Sequence, residues 1–131
     1  WDLDDLEASL SRPGNPTAAA FFELRRRLRV RRRCPALAPG QPQQILSLDS
    51  RLFALRRGTG NGAVSCLHNL ADVPIDVAVD DCVSDEGEPR GGARTWRDIM
   101  GGCGEVTAGS TVRIPPYGTC WLRPVIEPTQ E

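Results

Sequence analysis

The stretch that decides the fold is residues 15–55, NPTAAAFFELRRRLRVRRRCPALAPGQPQQILSLDSRLFAL. Its first half predicts a helix, because the opening Asn-Pro supplies a cap and then a proline at the first helical position. Pro35 ends that helix, since proline removes a backbone donor and clashes with the preceding turn. Beyond Gln43 the apolar residues alternate instead, which predicts two strands joined at Asp49–Ser50. The chain therefore changes here from helix to β-structure.

The rest of the chain follows the same division. Upstream, leucines recur at helical spacing within residues 2–10 and predict a first, short helix. Downstream, short alternating segments separated by Gly, Pro and Asn predict further strands. We therefore predict a mainly β fold, an antiparallel β-sandwich of about seven strands preceded by two N-terminal helices, with a helical segment over 1–34 and the sandwich over 35–131. The predicted strands cover 45–48, 52–56, 63–68, 75–79, 94–100, 111–114 and 120–123, and a mobile loop is expected over 84–93.

Two sets of apolar residues are expected to be buried. On the second helix an apolar stripe recurs at helical spacing and should dock that helix. On the strands the alternating residues should fill the space between the two sheets. The stripe consists of Phe21, Leu24 and Leu28, and the expected sandwich core contains Phe53, Leu55, Val77, Ile99 and Trp121.

Length and charge exclude several classes of protein. The 131 residues suit one domain and are too few for a (β/α)8 barrel. Sixteen basic residues, all of them arginine, against 17 acidic residues give a net charge of −1, so no overall field attracts nucleic acid or a membrane. No apolar run is long enough to span a bilayer. Because the sequence begins with Trp1, we expect a cut or processed piece of a longer protein.

The five cysteines are expected to be free thiols of a cytoplasmic protein. Their number is odd, their spacing is irregular and no CxxC pair occurs. The cytoplasm keeps such thiols reduced. Because the chain has only one histidine and no closely spaced pair of cysteines, we predict no metal site and no cofactor. The cysteines are Cys34, Cys66, Cys82, Cys103 and Cys120.

Arginines crowd the second half of the second helix. One interpretation is a nucleic-acid-binding helix, since phosphate contacts need such a density of cations. The other is a solvated helix face whose arginines cover apolar surface and pair with carboxylates. No aromatic residue lies between the arginines, so we predict the solvated face and no nucleic-acid partner. The cluster comprises Arg25, Arg26, Arg27, Arg29, Arg31, Arg32 and Arg33.

The remaining candidate sites are aromatic, thiol–imidazole and acidic. Trp96, Tyr117 and Trp121 are the candidate sugar-stacking residues, although such rings more often build a core. Cys66 and His68 share one face of a strand, but a nucleophile pair also needs a third, orienting group, so packing is favoured. The acidic residues between 72 and 88 fit no calcium-loop spacing and are expected to be hydrated. No catalytic residue is predicted.

Several of these segments resemble motifs of the α-amylase superfamily, glycoside hydrolase family 13. The junction is similar to the "LLxxRxxxPAFxP" helix end and "VLxLxxxxFALxR" hairpin of the sucrose-phosphorylase-like branch, with Leu37 where Phe is usual. Later segments resemble "WxDLLxG" and "LxPYxxxWL". Asn69 is similar to the family's asparagine that closes the third strand. The junction positions are Leu28, Arg31, Pro35, Ala36, Leu37, Pro39, Ile45, Leu46, Leu48, Phe53, Ala54, Leu55 and Arg57; those of the two later motifs are Trp96, Asp98, Ile99, Met100, Gly101, Ile114, Pro116, Tyr117, Trp121 and Leu122.

The resemblance implies a C-terminal β-domain that follows a catalytic barrel. Enzymes of this family transfer α-glucosyl groups with retention, through a covalent intermediate formed on a barrel carboxylate. None of the family's catalytic motifs maps onto this chain, so its implied role is structural and non-enzymatic. The implied partners are the missing barrel and, through the exposed helix, a second copy. The alternatives are a stand-alone carbohydrate-binding module and, more weakly, a nucleic-acid-binding adaptor. Solvent exposure of Trp96 and Trp121 would favour the carbohydrate-binding module over the accessory role.

Overall fold

The computed structural model describes residues 2–83 and 95–126. The loop expected over 84–93 lies outside the described residues. The chain divides into two compact units, Trp1–Cys34 and Pro35–Glu131, which are helical and β-rich respectively. Within the described ranges, no helix has both the length and the apolar character needed to cross a membrane.

The helical unit contains the two predicted helices. Helix α1 covers Leu3–Leu10 and helix α2 covers Pro16–Arg32. Asn15 caps α2 as expected, because its side-chain oxygen accepts a hydrogen bond from the Thr17 backbone N–H at 2.9 Å. The arginines lie toward the end of α2, where the helix dipole favours cations. Phe21, Leu24 and Leu28, the expected docking stripe, are all exposed.

The β-unit is an antiparallel sandwich, so the predicted fold class is confirmed. Within the described residues its larger sheet has six strands in the order β1-β2-β3-β8-β5-β6, and its smaller sheet pairs β4 with β7. The short strand β6 and the five-residue helix α3 were not predicted; α3 begins at Val79, where a strand was expected to end. The elements are β1 Gln43–Leu46, β2 Leu52–Arg57, β3 Val64–Asn69, β4 Ile75–Ala78, α3 Val79–Val83, β5 Thr95–Asp98, β6 Glu105–Thr107, β7 Thr111–Ile114 and β8 Thr119–Pro124.

The two sheets bury one core between them. The prediction of which side chains face it was wrong, because most of the expected residues lie outside the core. Leu52 and Ala54 of β2 point into the core, whereas Phe53 is 46% exposed on the outer face of the six-stranded sheet. Both faces of β2 carry apolar residues, so alternation gives the period but does not say which face is inside. Of the five expected core residues, Val77 belongs to the core, and Phe53, Leu55, Ile99 and Trp121 do not. The core cluster is Leu52, Ala54, Leu67, Ile75, Val77, Val79, Cys82, Trp96, Val112, Ile114, Cys120 and Leu122.

Asn69 joins the two sheets by hydrogen bonds. It ends β3 in the larger sheet and is only 2% exposed. Its side-chain amide donates to the backbone carbonyls of Val73, Ile114 and Pro115 at 2.7, 3.2 and 3.1 Å, and its oxygen accepts from Ala71 N–H at 2.8 Å. Ile114 ends β7 in the smaller sheet. The side chain thus gives hydrogen-bond partners to partly or fully buried backbone groups, which an apolar residue at this position could not do.

Replacing Asn69 should destabilise the whole sandwich. Asn69→Ala removes the donor that three backbone carbonyls share and the acceptor of one N–H, so we expect a loss of about 1–3 kcal/mol in the free energy of unfolding. Chemical denaturation followed by circular dichroism measures the change. Asn61→Ala, at an exposed turn position, is the matched control and should shift stability by less than about 0.5 kcal/mol. Equal effects of the two substitutions would contradict this role for Asn69.

Candidate functional site

The structure separates the three candidate sugar-stacking residues. Trp96 lies in the core and is 7% exposed. Trp121 is half-buried and points away from that core, because its neighbours Cys120 and Leu122 on β8 point inward. Tyr117 is 70% exposed in the turn between β7 and β8, with a backbone φ of 53° that side-chain-bearing residues rarely adopt. The two tryptophans therefore offer no common flat face to a sugar ring.

Trp121 belongs instead to a cluster on the outer face of the six-stranded sheet. Its indole N–H donates to Nε2 of His68 at 3.2 Å, and Nδ1 of His68 lies 3.2 Å from the Phe53 carbonyl oxygen. Because Nε2 accepts from the indole, Nδ1 carries the ring proton that the carbonyl accepts. Cys66 lies on the same face, opposite Trp121 in the strand register. Both nitrogens of His68 thus have partners in the sheet, which supports packing rather than activation of a nucleophile.

The arginine-rich part of α2 is neutralised in part by its own helix. Glu23 accepts hydrogen bonds from Arg26 at 2.8 Å and from Arg27 at 2.8 Å. These bonds lower the pKa of Glu23 from 4.5 to about 2. The paired, exposed side chains agree with the solvated-face interpretation, in which such pairs add little stability. A shallow groove of about 260 Å³ runs along the helix, lined by Phe22, Arg25, Arg26, Arg29, Val30 and Arg33.

Asp98 organises the turn that follows β5. It ends β5, is 2% exposed, and holds three backbone N–H groups. Its Oδ1 accepts from Met100 and Trp121, and its Oδ2 accepts from Cys103, each at 2.9 Å. Glycines with left-handed backbone conformations at 101 and 104 let the chain turn tightly enough to aim these groups at one carboxylate. The turn after β5 is thereby fastened to β8.

The same turn brings two thiols to Asp98. One ligand atom each of Asp98, Cys103 and Cys120 lies within 4.8 Å of the other two. Burial raises the pKa of both thiols, with the Asp98 charge as a further cause. Cys120 is fully buried, whereas Cys103 is partly exposed and its sulfur lies 3.9 Å from the Arg113 carbonyl oxygen. Cys82, also in the core, has its pKa raised to about 12 by burial.

The sequence offers no signal for this cluster. Cys103 and Cys120 lie in a turn and a strand that are far apart along the chain, and neither belongs to a CxxC pair. They meet because β5 and β8 are neighbours, in the register that places Asp98 opposite Leu122. The geometry can hold a cation or link the two sulfurs, whereas Asp98 has both oxygens engaged and is not placed as an acid or base.

Comparison with known proteins identifies the fold but not the family. No protein-family model matches the sequence, and no curated protein matches it. Among solved structures the chain is similar to AmyP, determined in complex with maltose, with a TM-score of 0.50 and 14% sequence identity. The match covers 72% of this chain but only 18% of the AmyP chain. At this identity the likeness shows a shared fold, found there as a small part of a longer protein.

The arginine-rich helix should bind nucleic acid weakly. Because Glu23 already pairs with two of its cations, we expect a Kd for duplex DNA no tighter than about 1 µM at physiological salt, in the range of non-specific binding. A fluorescence-anisotropy titration measures it. Glu23→Gln, which removes the carboxylate that pairs with Arg26 and Arg27, should tighten binding slightly. Submicromolar binding by the unaltered chain with a steep salt dependence would favour the nucleic-acid interpretation instead.

Removing the Asp98 carboxylate should unfold the turn and weaken the sheet. Asp98→Ala leaves three backbone N–H groups without an acceptor, so we expect a loss of roughly 2–4 kcal/mol in the free energy of unfolding. Asp98→Asn keeps one oxygen and should be less damaging. Asp76→Ala, which removes an exposed carboxylate 3.9 Å from Arg113, is the control and should be nearly neutral. Thermal and chemical denaturation of the three variants rank them by stability. An Asp98→Ala variant as stable as the unaltered chain would contradict this role for Asp98.

Proposed function

We propose that this chain is a non-catalytic C-terminal accessory domain of a retaining α-glucosyl-transferring enzyme of the α-amylase superfamily, closest to the sucrose-phosphorylase-like branch. The observation that carries the proposal is the shared fold with a small part of AmyP, which was solved with the α-linked glucose disaccharide maltose. The positions that resemble the superfamily lie in the β-unit, apart from Leu28 and Arg31, which belong to α2. In the parent enzyme a barrel supplies the chemistry and this domain stabilises it.

Residues of the superfamily-like motifs stabilise the sandwich, which supports a non-catalytic role. Trp96 fills the core, and Asp98 holds the backbone of the following turn and of β8. A retaining glycosidase needs two carboxylates about 5–5.5 Å apart, one of them free to attack the sugar. Asp98, a buried carboxylate in the described part of the chain, has both oxygens bound to backbone N–H groups.

Exposed apolar side chains support a partner for the domain. Phe53 and Ile45 lie exposed on the outer face of the six-stranded sheet, and α2 exposes Phe21, Leu24 and Leu28. Exposed patches of this kind mark contact surfaces in soluble proteins. The partner we propose is the catalytic barrel and, when the chain is isolated, a second copy that pairs through α2. The five cysteines are free thiols, which supports a reducing, cytoplasmic location.

The second candidate, a stand-alone carbohydrate-binding module, has weaker support. A stacking platform needs several exposed rings on one face. Trp96 is in the core, and Trp121 contacts His68 edge-on with ring centroids 6.3 Å apart. Affinity electrophoresis in soluble starch distinguishes the two functions: the accessory domain should migrate unretarded. Retardation that Trp121→Ala abolishes would favour the binding module.

The isolated chain should have no enzymatic activity. Incubation with sucrose and phosphate, or with short α-glucans, should release neither glucose 1-phosphate nor reducing sugar, because no barrel is present to supply the two carboxylates. Turnover that co-purifies with the chain and survives further purification would refute the proposal. Extending the reading frame upstream of Trp1 provides the complementary test, since a (β/α)8 barrel is expected there.

The accessory role itself is measurable in the parent enzyme. Asp98→Ala, which weakens the sandwich without touching the barrel, should lower the temperature at which activity is lost while leaving KM unchanged. Asp76→Ala in the same parent should leave both quantities unchanged. A large change in KM with unaltered thermal inactivation would indicate a substrate-binding role instead.

A further inference from the structure

Three side chains that bind metal ions in many proteins converge beside the core. Asp98, Cys103 and Cys120 offer one oxygen and two sulfurs, all within 4.8 Å of one another. Zinc–sulfur bonds of about 2.3 Å and zinc–oxygen bonds of about 2.0 Å place the ligands of a tetrahedral ion roughly 3.5–3.8 Å apart. Each ligand atom therefore needs to move by less than about 1 Å to reach bonding distance.

The electrostatics of this cluster suit a cation. Asp98 is a buried carboxylate, and within residues 2–83 and 95–126 no ion pair to it is found. Three backbone N–H groups donate hydrogen bonds to the carboxylate and stabilise its negative charge. They also fix its orientation, as hydrogen bonds to metal-ligating carboxylates do in other proteins. A cation at the centre of the three atoms would replace the hydrogens of the two thiols.

We propose that Asp98, Cys103 and Cys120 form a binding site for one thiophilic divalent cation of the zinc class. Binding exchanges charge as follows: one dication enters, both thiols release a proton to solvent, and the carboxylate and two thiolates give a site of net charge −1. Sulfur ligands select zinc or cadmium over magnesium and calcium, which prefer oxygen. Because Cys103 is partly exposed, water can supply the fourth ligand of a tetrahedral ion.

The effect of such an ion on the fold follows from its position. Cys103 belongs to the turn after β5, and Cys120 belongs to β8, so the ion would fasten the turn to the strand beside the Asp98 hydrogen bonds. This inference is independent of the proposed function, because it rests on the sandwich alone. A bound ion stabilises the folded state by mass action, since the unfolded chain does not hold the three ligands together.

The test is a titration of the reduced, metal-free chain with Cd²⁺ and with Zn²⁺. Native mass spectrometry should show one ion per chain, and Cd²⁺ should produce an ultraviolet thiolate-to-metal absorption band. Cys103→Ser, at a partly exposed position that does not hollow the core, should weaken binding at least about tenfold. Cys66→Ser, a buried cysteine on the outer face of the sheet, is the matched control and should bind like the unaltered chain. Zn²⁺ should raise the melting temperature of the control and not of Cys103→Ser.

The contrary outcomes are equally specific. Absence of a bound ion in the reduced chain overturns the proposal, as does binding that Cys103→Ser leaves unchanged. A mass two hydrogens below that of the reduced chain, with Cys103 and Cys120 linked in peptide mapping despite added Zn²⁺, assigns the pair to a disulfide and also overturns it. Circular dichroism of each variant shows whether the sandwich is folded, and Cys120→Ser is informative only as support for Cys103→Ser because it alters the core.

Discussion

Buried hydrogen bonds from two side chains to the main chain are the interaction on which the rest of this sandwich depends. Asn69 satisfies carbonyls of the smaller sheet from a strand of the larger one, and Asp98 gathers three N–H groups of a turn and of β8. Sheets of six and two strands leave many backbone groups at their ends without a ladder partner. Each such group is costly when buried, so a short polar side chain at the right place decides whether the sheets can close on an apolar core.

This arrangement explains why sequence resemblance and catalysis separate in this chain. The segments that resemble the α-amylase superfamily contain Trp96, Asp98 and Asn69, and each has a packing or hydrogen-bonding role in the sandwich. Residues that maintain a fold can be shared by domains whose chemistry resides elsewhere. The proposal of an accessory domain follows from that distribution of roles together with the AmyP-like fold. The thiols beside Asp98 are a separate property, since packing alone does not require two cysteines there.

The six-stranded sheet has apolar side chains on both faces, and this affects both stability and association. Its inner face contributes Leu67 and Leu122 to the core, whereas its outer face holds the cluster of Phe53, His68 and Trp121. An outer face that is partly apolar adds little to the sandwich core but favours contact with another surface. The exposed residues of α2 have the same character, although they belong to the helical unit.

The sequence by itself determined the local elements. Caps, prolines and the change from helical to alternating spacing located both N-terminal helices and seven of the eight strands seen in the described residues, because these signals act between residues close along the chain. Only the tertiary structure decided which faces of β2, β5 and β8 are buried, and so separated Trp96 on β5 from Trp121 on β8. It also brought Asp98, Cys103 and Cys120 together. When a strand has apolar residues on both faces, its sequence does not show which face is buried. The register between distant strands is set by tertiary packing and cannot be predicted from local sequence patterns.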